Sequence, residues 1–181
     1  MTLGAGSAGA QITLIPGPKF LVSRAPKFIT SADFDEDGFA DAAVTNNTTS
    51  SKISVLFGGP SGTFRGAADF PVGLKLAGIA AGDLNGDKNP DVAVADSDGD
   101  EVFRISGDGK GSFNTPEKWK VGLEPVDVAI GNFDGQNGND LVTADSGVNS
   151  ITMLLNIGTN RGFTPRRCIL AIRSRFAGTE K

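Results

Sequence analysis

The sequence predicts an all-β fold made of β-propeller blades: about three four-stranded blades plus a partial N-terminal blade, in an incomplete ring. Three observations lead to this fold class. The 181 residues include 25 glycines, which favours many tight turns over long helices. An Asp-rich loop recurs three times, and short apolar runs follow each copy in the same order. Repeats of this length with four short strands each are typical of propeller blades.

The Asp-rich loops divide the chain into three blocks. They begin at Asp33 (DFDEDGFADAAV), Asp83 (DLNGDKNPDVAV) and Asn132 (NFDGQNGNDLVT), so successive starts are 50 and 49 residues apart. One apolar run precedes each loop and three runs follow it, which predicts four strands in each block. In the first block we expect strands at 28–31, 41–45, 52–57 and 68–73. The last of these contains Pro71, which favours an edge strand.

Large apolar side chains recur in phase with the loops and predict buried faces. Counting back thirteen and eleven residues from each loop start gives two apolar positions in every block, which places them on one face of the last strand. These residues are Phe20 and Val22, Phe70 and Val72, and Trp119 and Val121. A phenylalanine after each Gly-rich turn is predicted to pack between neighbouring blades. The three are Phe64, Phe113 and Phe163.

The repeat also predicts the domain organisation. Residues 1–10 are expected to be a flexible N-terminus, 11–172 the repeat segment, and 173–181 a C-terminal tail without an alternating apolar face. Within the segment, residues 11–23 are predicted to supply the last two strands of a preceding block. About three and a half blades do not close a ring, since propellers typically have four to eight. The chain is therefore expected to be a fragment of a longer propeller or to associate with copies of itself.

Composition excludes several classes of function. The net charge of −4 argues against a nucleic-acid partner. With no histidine and no tyrosine, His-based catalysis and His-ligated zinc are excluded, which favours a protein that is not an enzyme. No apolar run of about 18 residues predicts a membrane span. The first eleven residues lack the charged and apolar regions of a secretory signal peptide.

The first Asp-rich loop has the residue types and spacing of a cation site. Asp33, Asp35 and Asp37 stand at loop positions 1, 3 and 5, and Asp41 stands at position 9. Calcium takes six to eight oxygen ligands, which can include a backbone carbonyl, here predicted from Phe39 at position 7. An EF-hand is excluded because position 12 is a β-branched strand residue in every block instead of glutamate. The competing interpretation is a turn whose side chains satisfy its own amides without metal.

The other two loops carry fewer carboxylates, so we expect calcium affinity to fall from the first loop to the third. The second loop also has Lys88 where the first has a glycine. Its predicted ligands are Asp83, Asn85, Asp87, the carbonyl of Asn89, and Asp91. The predicted ligands of the third loop are Asn132, Asp134, Gln136 and Asp140. Outside the loops, Asp96 and Asp145 recur where the first block has Asn46, and we expect turn structure there.

The loops and the stretch ISVLFGGPSGTF, with Phe57, Gly58, Gly59 and Pro60, resemble FG-GAP or VCBS repeats, the blade units of integrin-α-like propellers. The resemblance covers about residues 11–172. It implies calcium in the loop that joins the first two strands of each blade, and a secreted or cell-surface protein.

The leading hypothesis for function is a non-catalytic, calcium-binding module for extracellular protein interaction or adhesion, with a protein or glycan partner. The alternative is a lectin-like carbohydrate-binding module or an accessory domain of a secreted enzyme. Trp119 does not favour the alternative, because its position in the repeat predicts a core residue instead of a sugar-stacking platform.

Overall fold

The computed structural model describes residues 16–48, 51–136, 138–158 and 163–168. In these ranges, twelve strands form three four-stranded antiparallel sheets, each in simple chain order. The first sheet contains β1 (Pro26–Ala32), β2 (Asp41–Asn46), β3 (Lys52–Gly59) and β4 (Thr63–Pro71). The second contains β5 (Leu76–Gly82), β6 (Asp91–Asp96), β7 (Glu101–Ile105) and β8 (Glu117–Lys120). The third contains β9 (Pro125–Gly131), β10 (Asp140–Asp145), β11 (Ser150–Asn156) and β12 (Phe163–Cys168).

The three sheets confirm the prediction of three blocks with four strands each. All four strands predicted for the first block form, and β4 ends at Pro71 on the edge of its sheet. Residues Pro60–Gly62 and Ser146–Val148 form short 3-10 turns. Neither of these turns, and no other helix in the described ranges, could cross a membrane.

The sheets follow one another in a row. The first strands of consecutive sheets are neighbours, β1 beside β5 and β5 beside β9. Two apolar cores fill the junctions between sheets. The core of the first junction includes Phe34, Ile53, Val55, Val92, Val94 and Ile105, and that of the second includes Leu84, Val102, Val128, Leu141 and Leu154. The first and second sheets therefore each bury one face against the sheet that follows, as their alternating runs predict.

An edge-to-face aromatic pair recurs at each step of the repeat. The second junction joins Trp119 to Phe163 with ring centroids 4.9 Å apart, and the first joins Phe70 to Phe113 at the same distance. Both pairs confirm that the phenylalanine after the Gly-rich turn packs between neighbouring sheets. Trp119 also lies beneath Arg104, at 5.6 Å, so its ring is a junction residue.

The N-terminal segment differs from the prediction. Residues 16–25 form no strand, although two strands were expected at 11–23, and residues 11–15 lie outside the described ranges. A strand needs a neighbouring strand for its backbone hydrogen bonds, and no strand in the described ranges pairs with this segment. Phe20 still contacts Phe64 at 5.0 Å, in phase with the other aromatic pairs. The predicted terminal segments 1–10 and 173–181 also lie outside the described ranges.

Candidate metal centre

The Asp-rich loops join the first strand to the second strand of each sheet. In the first two loops, positions 4 and 6 have left-handed backbone conformations. These are Glu36 and Gly38, with φ of 54° and 86°, and Gly86 and Lys88, with φ of 83° and 77°. Such residues bend the chain sharply and turn alternate side chains toward the inside of the loop.

The first loop brings three predicted ligands together. Ligand oxygens of Asp33, Asp35 and Asp37 all lie within 4.8 Å of one another. Asp33 accepts the amides of Asp37 and Gly38 at 3.1 and 2.9 Å, and Asp37 Oδ1 accepts the amide of Phe39 at 2.9 Å. These bonds hold the loop in shape and keep three negative charges close together.

One oxygen of this cluster has no hydrogen-bond partner. Asp35 Oδ1 is buried and accepts no bond, while Asp35 Oδ2 accepts a bond from Arg65 at 2.7 Å. A buried carboxylate oxygen without a partner is costly, because its lost hydration is not replaced. A hard cation would satisfy this oxygen, and an all-oxygen ligand set is the one that calcium prefers. The residues present therefore fit a calcium ion.

The aspartate at position 9 connects its loop to the third strand. The predicted ligand Asp41 is not part of the group whose oxygens lie within 4.8 Å of one another. It is buried and accepts the amide of Phe34 at 2.7 Å through Oδ2 and that of Gly58 at 2.6 Å through Oδ1. Asp91 and Asp140 do the same in the other two loops. This structural role was not predicted from the sequence, although the recurrence of the residue at position 9 in all three loops was a signal for it. Each carboxylate oxygen has a second lone pair, so ligand capacity toward the loop is retained.

Burial also changes the acidity of these carboxyl groups. Burial raises the pKa of Asp41 above its usual 3.8. Hydrogen bonds from two backbone amides each lower this pKa by less, and the nearby charges of Asp35 and Asp33 raise it further. Burial raises the pKa of Asp91 to about 6, against the amides of Leu84 and Gly107, which lower it. A cation in the loop would favour the ionised form of both groups.

The second loop satisfies more of its own polar atoms. Asp83 accepts the amides of Gly86 and Lys88 at 2.6 and 2.9 Å. Asn85 donates its side-chain amide to Asp87 Oδ2 at 2.9 Å, and Asp87 Oδ1 accepts the amide of Asn89 at 2.8 Å. Two predicted ligands, Asn85 and Asp87, are thus in contact, and fewer predicted ligands carry charge than in the first loop.

The third loop has the contacts of an ordinary polar turn. Asn132 accepts the amide of Gly135 at 2.6 Å, and Asp134 accepts the amide of Gln136 at 2.8 Å. Asp140 is buried under the loop, as Asp41 and Asp91 are in theirs. Two carboxylates are a weak ligand set for calcium, since affinity depends on the number of charged ligands.

The comparison with protein families finds the same units. A model of the FG-GAP-like repeat matches residues 33–94 and 83–143. The two matches together extend over more than half of the 181 residues, and each starts at the first residue of an Asp-rich loop. The chain belongs to the FG-GAP-like repeat family. Comparisons with curated proteins and with solved structures gave no match.

In both fully described junctions of these FG-GAP-like repeats, the loop of one sheet also binds the next sheet. The carbonyl of Phe34, at loop position 2, accepts the amide of Gly111 at 3.0 Å, and the carbonyl of Leu84 accepts the side-chain amide of Asn156 at 3.0 Å. Phe34 and Leu84 are each 1% exposed. Phe133 has the same position in the third loop and is 49% exposed. The loops therefore belong to the junctions as much as to their own sheets.

A second pair of acids in the FG-GAP-like repeats, Asp96 and Asp145, lies against the connections between sheets. Asp96 accepts the amides of Leu74 and Lys75 at 2.7 and 2.9 Å, and also that of Gly99 in the turn predicted there. Its side chain is buried, as is that of Asp145. A glycine precedes each connection, Gly73 and Gly122, and a β-carbon on either would meet the carboxylate. The joint recurrence of Gly and Asp was the sequence signal for this contact.

Proposed function

We propose that this FG-GAP-like repeat protein is a non-catalytic module that binds calcium in its Asp-rich loops and uses its sheets to bind a protein partner outside the cell. The observation that carries the proposal is Asp35 Oδ1, a buried carboxylate oxygen without a partner among three clustered carboxylates. Acidic groups in phased loops, held by backbone amides, are better explained by a cation than by acid–base chemistry.

Three sets of residues would hold calcium, with affinity decreasing along the chain. In the first loop they are Asp33, Asp35, Asp37, Asp41 and the carbonyl of Phe39. In the second they are Asp83, Asn85, Asp87, Asp91 and the carbonyl of Asn89. In the third they are Asn132, Asp134, Gln136 and Asp140. Calcium would neutralise the repulsion among the carboxylates and fix the loop ends, which stabilises the junction that each loop enters.

Two considerations support an extracellular protein partner. FG-GAP-like repeats are typical of extracellular proteins, and extracellular calcium modules often work with affinities near 10⁻⁴ to 10⁻³ M, as expected for loops with few charges. Glycan binding, the alternative, calls for an exposed aromatic platform. The single tryptophan lies edge-on to Phe163 in a junction, which favours a protein partner over a glycan.

Thermal unfolding with and without calcium tests the proposal. Calcium at about 100 times its dissociation constant should add about 2.7 kcal/mol to the free energy of unfolding for each filled site, because it binds the folded state. The variant Asp35→Asn should lose most of the gain that the first loop provides. Asp98→Asn is the matched control, since Asp98 is an exposed acid that pairs with Lys75. A melting temperature that does not change from chelator to excess calcium would refute the calcium sites.

A further inference from the structure

Arg65, on β4, places its guanidinium group against the first loop. Arg65 Nη2 lies 2.7 Å from Asp35 Oδ2 and 2.5 Å from Asp37 Oδ2, so one nitrogen bridges two of the clustered carboxylates. Arg65 Nε donates to the carbonyl of Gly58 at 2.9 Å, which fixes the direction of the side chain. Three hydrogen bonds thus hold a positive charge on oxygens that the proposed calcium ion would need.

Most oxygens of the cluster already have a hydrogen-bond partner, but only one partner is a cation. Both oxygens of Asp33 and Oδ1 of Asp37 accept backbone amides. Asp35 Oδ1 has no partner, and the two remaining oxygens are the ones that Arg65 contacts. A guanidinium cannot lose its proton in a protein, so its charge is present at every working pH. A divalent cation at these oxygens must therefore displace Arg65 or bind against its repulsion.

We infer that Arg65 is an internal competitor of calcium, whose guanidinium occupies the first loop without calcium and leaves it when calcium binds. The inference rests on the proposed function. The Arg65 side chain is 52% exposed, so it can move from the loop into solvent without opening a core. The competition lowers the calcium affinity of the first loop below the value that its carboxylates alone would give.

In the described ranges, no lysine or arginine pairs with Asp83 or Asp87 of the second loop, although Lys88 adds a positive charge to that loop. Phe64 and Phe113 are in phase, so the residue that corresponds to Arg65 is Asn114, which is uncharged. In that loop, the neutral side-chain amide of Asn85 makes the bond to the carboxylate at position 5. Arg65 therefore offsets the additional carboxylate of the first loop.

Calorimetric titration with calcium alone tests the inference. The parent protein for this experiment carries Asp83→Asn and Asp87→Asn, so that the first loop dominates the heat. In this parent, Arg65→Gln should lower the dissociation constant by about tenfold, because a repelling charge is removed. Arg65→Lys keeps the charge and should stay within about threefold of the parent. Lys52→Gln is the control: it also removes one positive charge, but at the end of β3 that is far from Gly58, where Lys52 pairs with Asp69. Its calcium dissociation constant should change little.

The outcomes separate this inference from the proposed function. Equal calcium affinity in the parent and in Arg65→Gln, or weaker binding in Arg65→Gln, would overturn the inference and leave the calcium site intact. No calcium binding in either protein would overturn both. If Arg65→Gln does not fold, NMR of the unmodified protein decides: calcium should shift the Arg65 Nε–H signal as its bond to Gly58 breaks. A signal that does not move on saturation would also overturn the inference.

Discussion

Asp41 Oδ1 accepts a hydrogen bond from the backbone amide of Gly58 at 2.6 Å, and this bond joins the first loop to β3. Because the second oxygen accepts the amide of Phe34, Asp41 should stabilise the fold even without calcium. In chelator, Asp41→Asn should lose about 2 kcal/mol of unfolding free energy, since the new amide group cannot accept one of the two bonds. Urea unfolding measures the loss. Asp33→Asn also changes an acceptor of two amides, but Asp33 is only half-buried, so this variant should lose less, and equal losses would contradict the structural role.

Lys88 has a left-handed conformation with φ of 77° where the first loop has glycine. Lys88→Gly should raise the unfolding free energy in chelator by up to about 1 kcal/mol. The left-handed conformation costs a non-glycine residue about 1–2 kcal/mol, which glycine avoids. Part of this gain is lost because glycine loses more conformational entropy on folding. It should also tighten calcium binding by removing a positive charge. Lys88→Gln is the control, since it removes the charge but keeps the side chain. If both variants melt alike in chelator, backbone strain at this position is not significant.

Gly122 has no room for a side chain, because a β-carbon would overlap the carboxylate of Asp145. Asp145 cannot easily move, since Thr143 and Thr152 donate hydrogen bonds to it at 2.7 and 2.6 Å. Gly122→Ala should therefore cost about 2 kcal/mol in thermal or urea unfolding. Gly17→Ala is the control, because a β-carbon on Gly17 would meet no atom within 4 Å. An unchanged stability of Gly122→Ala would show that this connection adapts.

Glu101 predicts a pH dependence. Burial raises its pKa, but hydrogen bonds and charges from Lys120 and Lys118 lower it by more, so the pKa lies below 4.5 in the folded state. A lowered pKa stabilises the fold above the unfolded-state pKa, and this contribution is lost as the pH falls through the folded-state pKa. Glu101→Gln should be about 0.5–1 kcal/mol less stable at pH 7, since both lysines are exposed, and this difference should shrink as the pH falls from 7 to 3.

Melting curves at these two pH values, with chelator present, measure the difference. Glu124→Gln, a change at an exposed turn residue, is the control for a general effect of charge. A stability difference for Glu101→Gln that stays constant from pH 7 to pH 3 would contradict the role of the two lysines.

The strands of this fold could be predicted because their signals are local. Alternating apolar and polar residues and Gly-rich turns repeat three times, so the strands predicted for one block can be placed at the same positions in the other two. The contacts that complete the candidate site are not local. Arg65 reaches Asp35 across 30 residues, and nothing in the sequence near either residue indicates the pair. The third loop could be ranked last because it has only two carboxylates.

Two differences from the sequence-based predictions have a common physical reason. Asp96 was expected in a turn and accepts the amide of Gly99 there, but it also accepts the amides of Leu74 and Lys75 in the connection before β5, which was not expected. Residues 11–23 were expected to form two strands, but the described part, residues 16–23, forms none and pairs with no strand of the three sheets. In both cases the structure depends on contacts with another segment of the chain, and the local propensity of the residues does not indicate those contacts.

The residue at loop position 2 couples the unfolding of neighbouring sheets. Phe34 donates its amide to Asp41 within its own sheet, while its ring lies 5.4 Å from that of Phe113 and its carbonyl binds Gly111, both in the next sheet. When one of these sheets unfolds, the neighbouring sheet loses the contacts that the loop makes with it. The chain should then unfold in one cooperative step instead of sheet by sheet, and damage to one loop should lower the hydrogen-exchange protection of the sheet that follows it.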